Sequence, residues 1–248
     1  MEKENNKQGK ARRPRRTNLA LDRDIMNAAK VIIEKNGFAN TTLTSIMQEA
    51  GIEPNVFYKR FDNLDKLFDH FVQHYDYWFS NIVDVKTAPT DPEGFYTKLL
   101  LELARQLYRN KSMQKILIWE LSEDNPTTRR TARLRETNSV ELVNQLNEHF
   151  KGTTMDMAVF TALMIGGIYY MTLHKDRSTF CGIDFSTRAG KAKLLETIQN
   201  ISNCVFQFNS TVKKENSALE IAKQMKAEGI DNETILRCTR INLQDISE

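Results

Sequence analysis

Asn55, Tyr58, Lys59 and Arg60 place a carboxamide, a phenol and two cations within six residues of each other. That set suits nucleic acid. A phenolic hydroxyl donates to a phosphate oxygen, Lys and Arg neutralise phosphate charge, and an Asn amide can pair with adenine. Phe57 and Phe61, four apart, fall on one helical face while Tyr58 and Lys59 fall elsewhere, so the aromatic pair can anchor a helix that shows its polar side. A blander use of the same side chains packs Tyr58 on a neighbouring helix and leaves the basic pair in solvent. Catalysis has less support, because no nucleophile with a base and no paired acids stand at an informative spacing; no enzyme activity and no cofactor are expected. His70 and His74 are one helical turn apart without well-placed acidic ligands, and no CxxC or HExxH occurs, so no metal site is proposed.

The elements that must position these groups are legible around them. Ile25, Ala28, Ala29, Ile32 and Ile33 recur at helical spacing and predict a first helix from about Leu19–Asp22 to Asn36, stopped by Gly37. Thr42 is a cap for a second helix with Leu43, Ile46, Met47 and Ala50 inside, and Gly51 ends it. Pro54 then suits the first turn of a third helix, with Glu53 as its cap. Helix, tight turn and second helix make a helix-turn-helix, whose second helix enters the major groove.

The order Gly37-Phe38, Thr41-Thr42, Ile46, Ala50-Gly51-Ile52, Phe57-Tyr58-Lys59-Arg60-Phe61, then Leu64, Lys66 and Leu67, resembles the amino-terminal domain of the tetracycline-repressor (TetR) family of bacterial transcriptional regulators. By matched position the resemblance implies phosphate contacts at Thr42 and Tyr58, and puts Lys59 where the family often has histidine. Two positions depart from the pattern: Glu53 stands where Ser is frequent and Asn55 where a small Gly is frequent. The resemblance also implies a twofold dimer, a body that binds a small molecule, and release of DNA on binding. Candidate pocket residues are Tyr96, Met113, Leu117, Trp119, Glu120 and Tyr169, since aromatic and methionine surfaces shape apolar ligands and Glu120 can orient one polar group. Packing in the core is the competing use of each.

Beyond the head, Leu64 to Ile82 predicts one long amphipathic helix, a rod able to couple two domains. A loop follows at residues 84–92. Further helices are expected with Phe95, Leu99, Leu103 and Leu107 on one face, over Met113 to Leu121, and over Thr127 to Phe150 with Leu134, Leu142, Leu146 and Phe150 inside. Arg129, Arg130, Arg133 and Arg135 at the start of the last resemble a nucleic-acid patch, or a solvated face paired with Glu136 and Glu141. Residues 154–173 and 189–208 are broadly apolar. Gly166 and Gly167 with Leu194, Ile198, Ile201 and Val205 are the expected homodimer surface, with completion of a monomeric core as the alternative. GIDF at 182–185 can dock the intervening loop on the body.

Charge is uneven along the 248 residues. Residues 1–16 carry seven Lys/Arg, among them Arg12, Arg13, Arg15 and Arg16, against Glu2 and Glu4; this +5 leaves −2 for the rest of a chain of net charge +3. An arm of that kind can follow phosphates or a minor groove, or serve as a solubilising tail. With 40% apolar and 27% charged residues the composition is that of an ordinary globular chain. Met155 to Leu173 is interrupted by polar residues and reads as a buried helix, so no membrane partner is expected. No apolar stretch follows Met1, and three widely spaced cysteines fit a reducing cytoplasm.

The fold class expected is therefore all-α: a basic flexible arm (1–16), a three-helix helix-turn-helix DNA-binding head (17–63), a helical ligand-binding and dimerisation body (64–208), and a linker with a short helical tail (209–248). The tail resembles that found after transposase-linked nuclease domains of the PD-(D/E)XK type, without a nuclease core before it. The function expected is a dimeric repressor of a palindromic double-stranded operator, released by an unidentified small molecule; the alternative is a helical interaction module that keeps the head fold without operator binding.

Overall fold

The computed structural model describes residues 17–76 and 90–242. These are helical apart from turns and one isolated backbone bridge, between Phe180 and Ile183. They form two bodies that divide between His74 and Tyr75.

The first body holds α1 (Asn18–Asn36), α2 (Leu43–Ala50), α3 (Pro54–Tyr58) and most of α4 (Leu64–Tyr75). Thr17 caps α1 by accepting from the Ala20 amide, and Ile25, Ala28, Ala29 and Ile33 bury one stripe of it. Gly37 follows at φ +79°, a value that favours glycine. Phe38 fixes the end of α1 on α4, with ring edges against Phe68 at 4.9 Å and Phe71 at 5.8 Å. The helix expected from Leu64 to Ile82 is α4 as far as Tyr75; Trp78, Phe79, Ile82 and the loop from residue 84 to 89 lie outside the described residues.

The second body is arranged around α5 (Pro92–Arg109), whose Tyr96, Leu100, Leu103, Ala104 and Leu107 are wholly buried. Packed with it are α6 (Lys111–Ser122), α7 (Pro126–His149), α8 (Met157–His174) and α9 (Arg188–Ala227), with α10 (Asn232–Thr239) against α9. Asn125 begins α7 with a capping box to Thr128, and Pro126 occupies the first turn. Between α8 and α9 the GIDF segment docks as expected: Phe185 is buried, and the Tyr108 hydroxyl donates to its carbonyl at 3.1 Å. Gly190 lies directly beneath, where a Cβ would stand 2.0 Å from the Asp184 carbonyl oxygen.

Four expectations give way here. Leu134 is 56% exposed, so the inner stripe of α7 runs through Thr128, Thr131, Arg135, Leu142 and Leu146 instead. The apolar helix read as buried, α8, is covered on one side alone: Met157, Thr161, Ile168 and Thr172 face inward while Val159, Leu163 and Tyr170 are exposed. By length and composition α8 could also cross a membrane, a test that core helices of globular proteins pass too.

The polar stretch read as a linker, residues 209–216, is helical, and α9 runs 40 residues without a break. Its side chains explain why. The Asn209 amide and the Lys213 ammonium both donate to the His149 carbonyl, and the Asn216 amide donates to that of Gly152, all from one face of α9. The cap of α10 is Asp231 rather than Asn232. Ile235 and Ala222 close the small hairpin that α10 makes with the end of α9; Ile241 is described, whereas Leu243 and Ile246 lie outside.

Candidate nucleic-acid interface

The turn that aims α3 is built from local chemistry. Thr42 Oγ accepts from the Ser45 amide and Ser45 Oγ accepts from that of Thr42, each at 3.2 Å, a reciprocal box with Ser in place of the usual Glu. Gly51 closes α2 in the left-handed conformation, φ 59° and ψ 49°. The Glu53 side chain caps nothing, contrary to expectation; its backbone carbonyl accepts from Val56 and Phe57. A carboxylate is poor at approaching a polyanion, and this one is exposed.

Phe57 is the anchor of α3. Burying that ring completely contributes roughly 2–3 kcal/mol, which holds a five-residue helix that would not form by itself. Its ring meets Tyr58 edge-on at 5.6 Å and Phe61 at 5.6 Å. With Phe57 inside, Asn55, Tyr58 and Lys59 are carried outward at steps of three and four, and all three are exposed, Tyr58 by 54%. Thr42 is exposed as well, its hydroxyl engaged with Ser45.

Arg60 has a different use from the one its type suggests. Its side chain is 14% exposed, and the guanidinium donates through Nε to Asp22 at 2.5 Å, through Nη2 to Asn18 at 2.9 Å and through Nη1 to the Val56 carbonyl at 3.2 Å. It braces the first turns of α1 to the end of α3. Arg12, Arg13, Arg15 and Arg16 lie outside the described residues.

In the second body the expected pocket residues divide. Tyr96, Met113, Leu117 and Trp119 are core residues; the Tyr96 hydroxyl shares a hydrogen bond with Thr161 at 3.1 Å and is pushed up to about 12 by burial, while Trp119 Nε1 donates to Glu123 at 2.8 Å. Glu120 is paired with Arg135, which also donates to Asp76 at 3.2 Å. Burial pushes the Tyr169 hydroxyl up, Arg135 opposes that and Asp76 adds to it, so Tyr169 lies within the field of the same cluster. Arg135 therefore lies neither in a nucleic-acid patch nor on a solvated face with Glu136 and Glu141: its side chain is largely buried between Asp76 and Glu120. The usable clue was phase: counting two turns back from Leu142 reaches Arg135, not its apolar neighbour Leu134.

A separate polar groove of about 410 Å³, lined by residues of α5 and α9 that include Thr97, Lys98, Arg105, Gln199 and Asn203, contains none of the expected pocket residues. Among the described residues no group of three His, Cys, Asp or Glu could hold a metal ion.

The expected dimer surface also divides. Leu194, Ile198 and Val205 are at most 8% exposed and belong to the core of a single copy, so they are not available to a partner. Gly167 is half-buried against Met171. Gly166 is open, and with it the outer stripe of α8 comprises Val159, Ala162, Leu163 and Tyr170; on α9, Ile201 and Phe208 are exposed.

Residues 25–71 match the family of bacterial regulatory proteins, tetR family. No curated protein matches the chain in sequence. Solved structures similar to it include a Clostridium perfringens protein named as a fatty acid metabolism regulator, at 16% identity and a TM-score of 0.53 over 71% of this chain and 94% of that one. Salmonella enterica GusR aligns at 13% identity and a TM-score of 0.52 over 77% and 98% of the two chains. A Thermobifida fusca transcriptional regulator of the TetR/AcrR family does so at 20% and 0.52 over 73% and 96%. The resemblance of the tail to nuclease-associated tails finds no support among these matches. The head thus matches the tetR family over residues 25–71, and the all-helical fold of the chain is shared with these solved structures.

Proposed function

We propose that the chain is a dimeric transcriptional regulator, a repressor, whose head reads a palindromic operator and whose body releases it on binding a small molecule. The observation that carries this reading is the outward display of Asn55, Tyr58 and Lys59 on a helix locked by the buried Phe57, inside the segment matched to the tetR family. Tyr58 and Lys59 serve phosphates, Asn55 serves a base edge or a phosphate, and Thr42 adds a phosphate contact at the start of α2. The basic arm, with Arg12, Arg13, Arg15 and Arg16, adds non-specific affinity.

The exposed stripe of α8, together with Ile201 and Phe208 of α9, is the surface that a second copy covers. A twofold dimer sets two α3 helices on half-sites about 34–36 Å apart. The reading places the protein in the cytoplasm, in keeping with three free, exposed cysteines, Cys181, Cys204 and Cys238. The α9–α10 hairpin, with Ile221 and Leu236 exposed, is read as a protein-docking end.

Selection of bound sequences from a random duplex pool, by the purified full-length protein at 100 mM salt, tests the reading. A recovered palindrome is the expected result. Recovery of no sequence by protein that is folded and dimeric would overturn it and leave the head as part of a helical interaction module.

A further inference from the structure

Asp76 follows directly on Tyr75, the last residue of α4, and its carboxylate accepts from Arg135 Nη1 at 3.2 Å. The other terminal nitrogen of that guanidinium pairs with Glu120 Oε2. The side chains of Asp76, Glu120 and Arg135 are 12%, 20% and 14% exposed, so the cluster is largely withdrawn from water. Three parts of the chain thus meet on one cation: the residue that leaves α4, α6 through Glu120, and α7 through Arg135. Tyr169 brings α8 into the same field.

Two carboxylates on one guanidinium leave the cluster with an excess negative charge. Burial pushes the Asp76 carboxyl up to about 6, against the opposing pull of Arg135. A buried pair of this kind adds little to stability compared with apolar packing, yet removal of one partner strands a charge. It therefore favours two arrangements, paired or parted, over a graded series.

We propose that Arg135 is a positioning residue, which latches the chain at the exit of α4 to α6 and α7 through Asp76 and Glu120, and that parting either pair frees that exit. The consequence for DNA rests on the regulatory reading above, whereas the latch itself rests on geometry within the second body.

Hydrogen exchange on the full-length protein, followed over a peptide spanning residues 68–76, tests the latch. Arg135→Met is expected to raise exchange there at least tenfold while peptides of α1 and α2 keep their rates. Glu120→Gln, which preserves shape and the packing of α6, is expected to raise it about threefold. Unchanged exchange in a folded Arg135→Met protein overturns the latch, and if that variant does not fold, unchanged exchange in Glu120→Gln overturns it.

Affinity for the selected duplex is then measured on the same proteins, with a fall of at least fivefold expected. Raised exchange with unchanged affinity, where the wild type binds, overturns the regulatory role of the latch. A wild type that binds no duplex defeats the regulatory reading alone, and exchange still decides the latch.

Discussion

Replacing Arg60 by Ala should weaken the head without removing a contact to DNA. The guanidinium makes three donations inside the head, to Asp22, Asn18 and the Val56 carbonyl. Asp22 is 51% exposed, so that ion pair is worth at most about 1 kcal/mol; the two bonds to neutral oxygens add about 0.5–1 kcal/mol each. The expected loss is about 2 kcal/mol, read by urea unfolding of the head. Lys59, by contrast, is exposed and has no side-chain partner among the described residues, so Lys59→Ala should leave stability within about 0.5 kcal/mol.

The salt dependence of duplex binding should show the opposite order. A phosphate contact contributes about 0.9 to the slope of log K against log salt. Lys59→Ala should reduce the slope by about that amount, and Arg60→Ala should leave it unchanged under conditions where the variant stays folded. Fluorescence anisotropy at four salt concentrations resolves the two cases. A slope lowered by about 0.9 in Arg60→Ala, with wild-type unfolding, would refute the brace.

Asp76 gives a pH prediction. Its carboxyl rises from 3.8 to about 6 on folding, chiefly through burial, so the native state holds this proton more tightly than the unfolded chain. Its contribution to stability is neutral below about pH 4, becomes unfavourable as pH rises to about 6, and is flat above. At about 1.4 kcal/mol per unit, the wild type should lose roughly 2–3 kcal/mol relative to Asp76→Asn between pH 4 and pH 7; parallel stability curves for the two proteins would contradict this. On α8, Leu163→Lys should weaken self-association more than tenfold by sedimentation while melting stays near that of the wild type. Ile198→Lys should unfold the body, because Ile198 is 2% exposed. Gly190→Ala should cost about 2 kcal/mol or more in unfolding, since the new methyl must displace the Asp184 carbonyl and with it Phe185; a neutral effect would mean that the loop yields freely.

The head was readable because its instructions are local. Thr42, Gly51 and Pro54 act within a few residues of themselves, and Phe57 declares the inner face of α3 by type. The bracing by Arg60 is not legible for the complementary reason: its partners Asn18 and Asp22 lie 42 and 38 residues earlier, and no spacing rule reaches that far. On α7 residue type and helical phase disagree: Leu134 is the apolar residue, but Arg135 is the one in phase with the buried Leu142. Leu194, Ile198 and Val205 satisfy the pattern of a core helix and of an interface helix equally well, and only their burial in one copy separates the two. Residues 209–216 look like a linker by composition. They are a helix because Asn209, Lys213 and Asn216 satisfy carbonyls at the end of α7 that would otherwise need water.

An unbroken α9 of 40 residues is about 60 Å long, and everything after its docked stretch is set by counting. One residue inserted between Asn216 and Ala222 would carry the tail hairpin about 1.5 Å further out and swing it by about 100° around the helix axis. Seven inserted residues would advance it by about 10 Å yet return it to within about 20° of its starting direction. Whatever the hairpin meets is therefore addressed by an angle as much as by a distance. Changes of length in this part of the chain should be tolerated in whole pairs of turns and penalised in between.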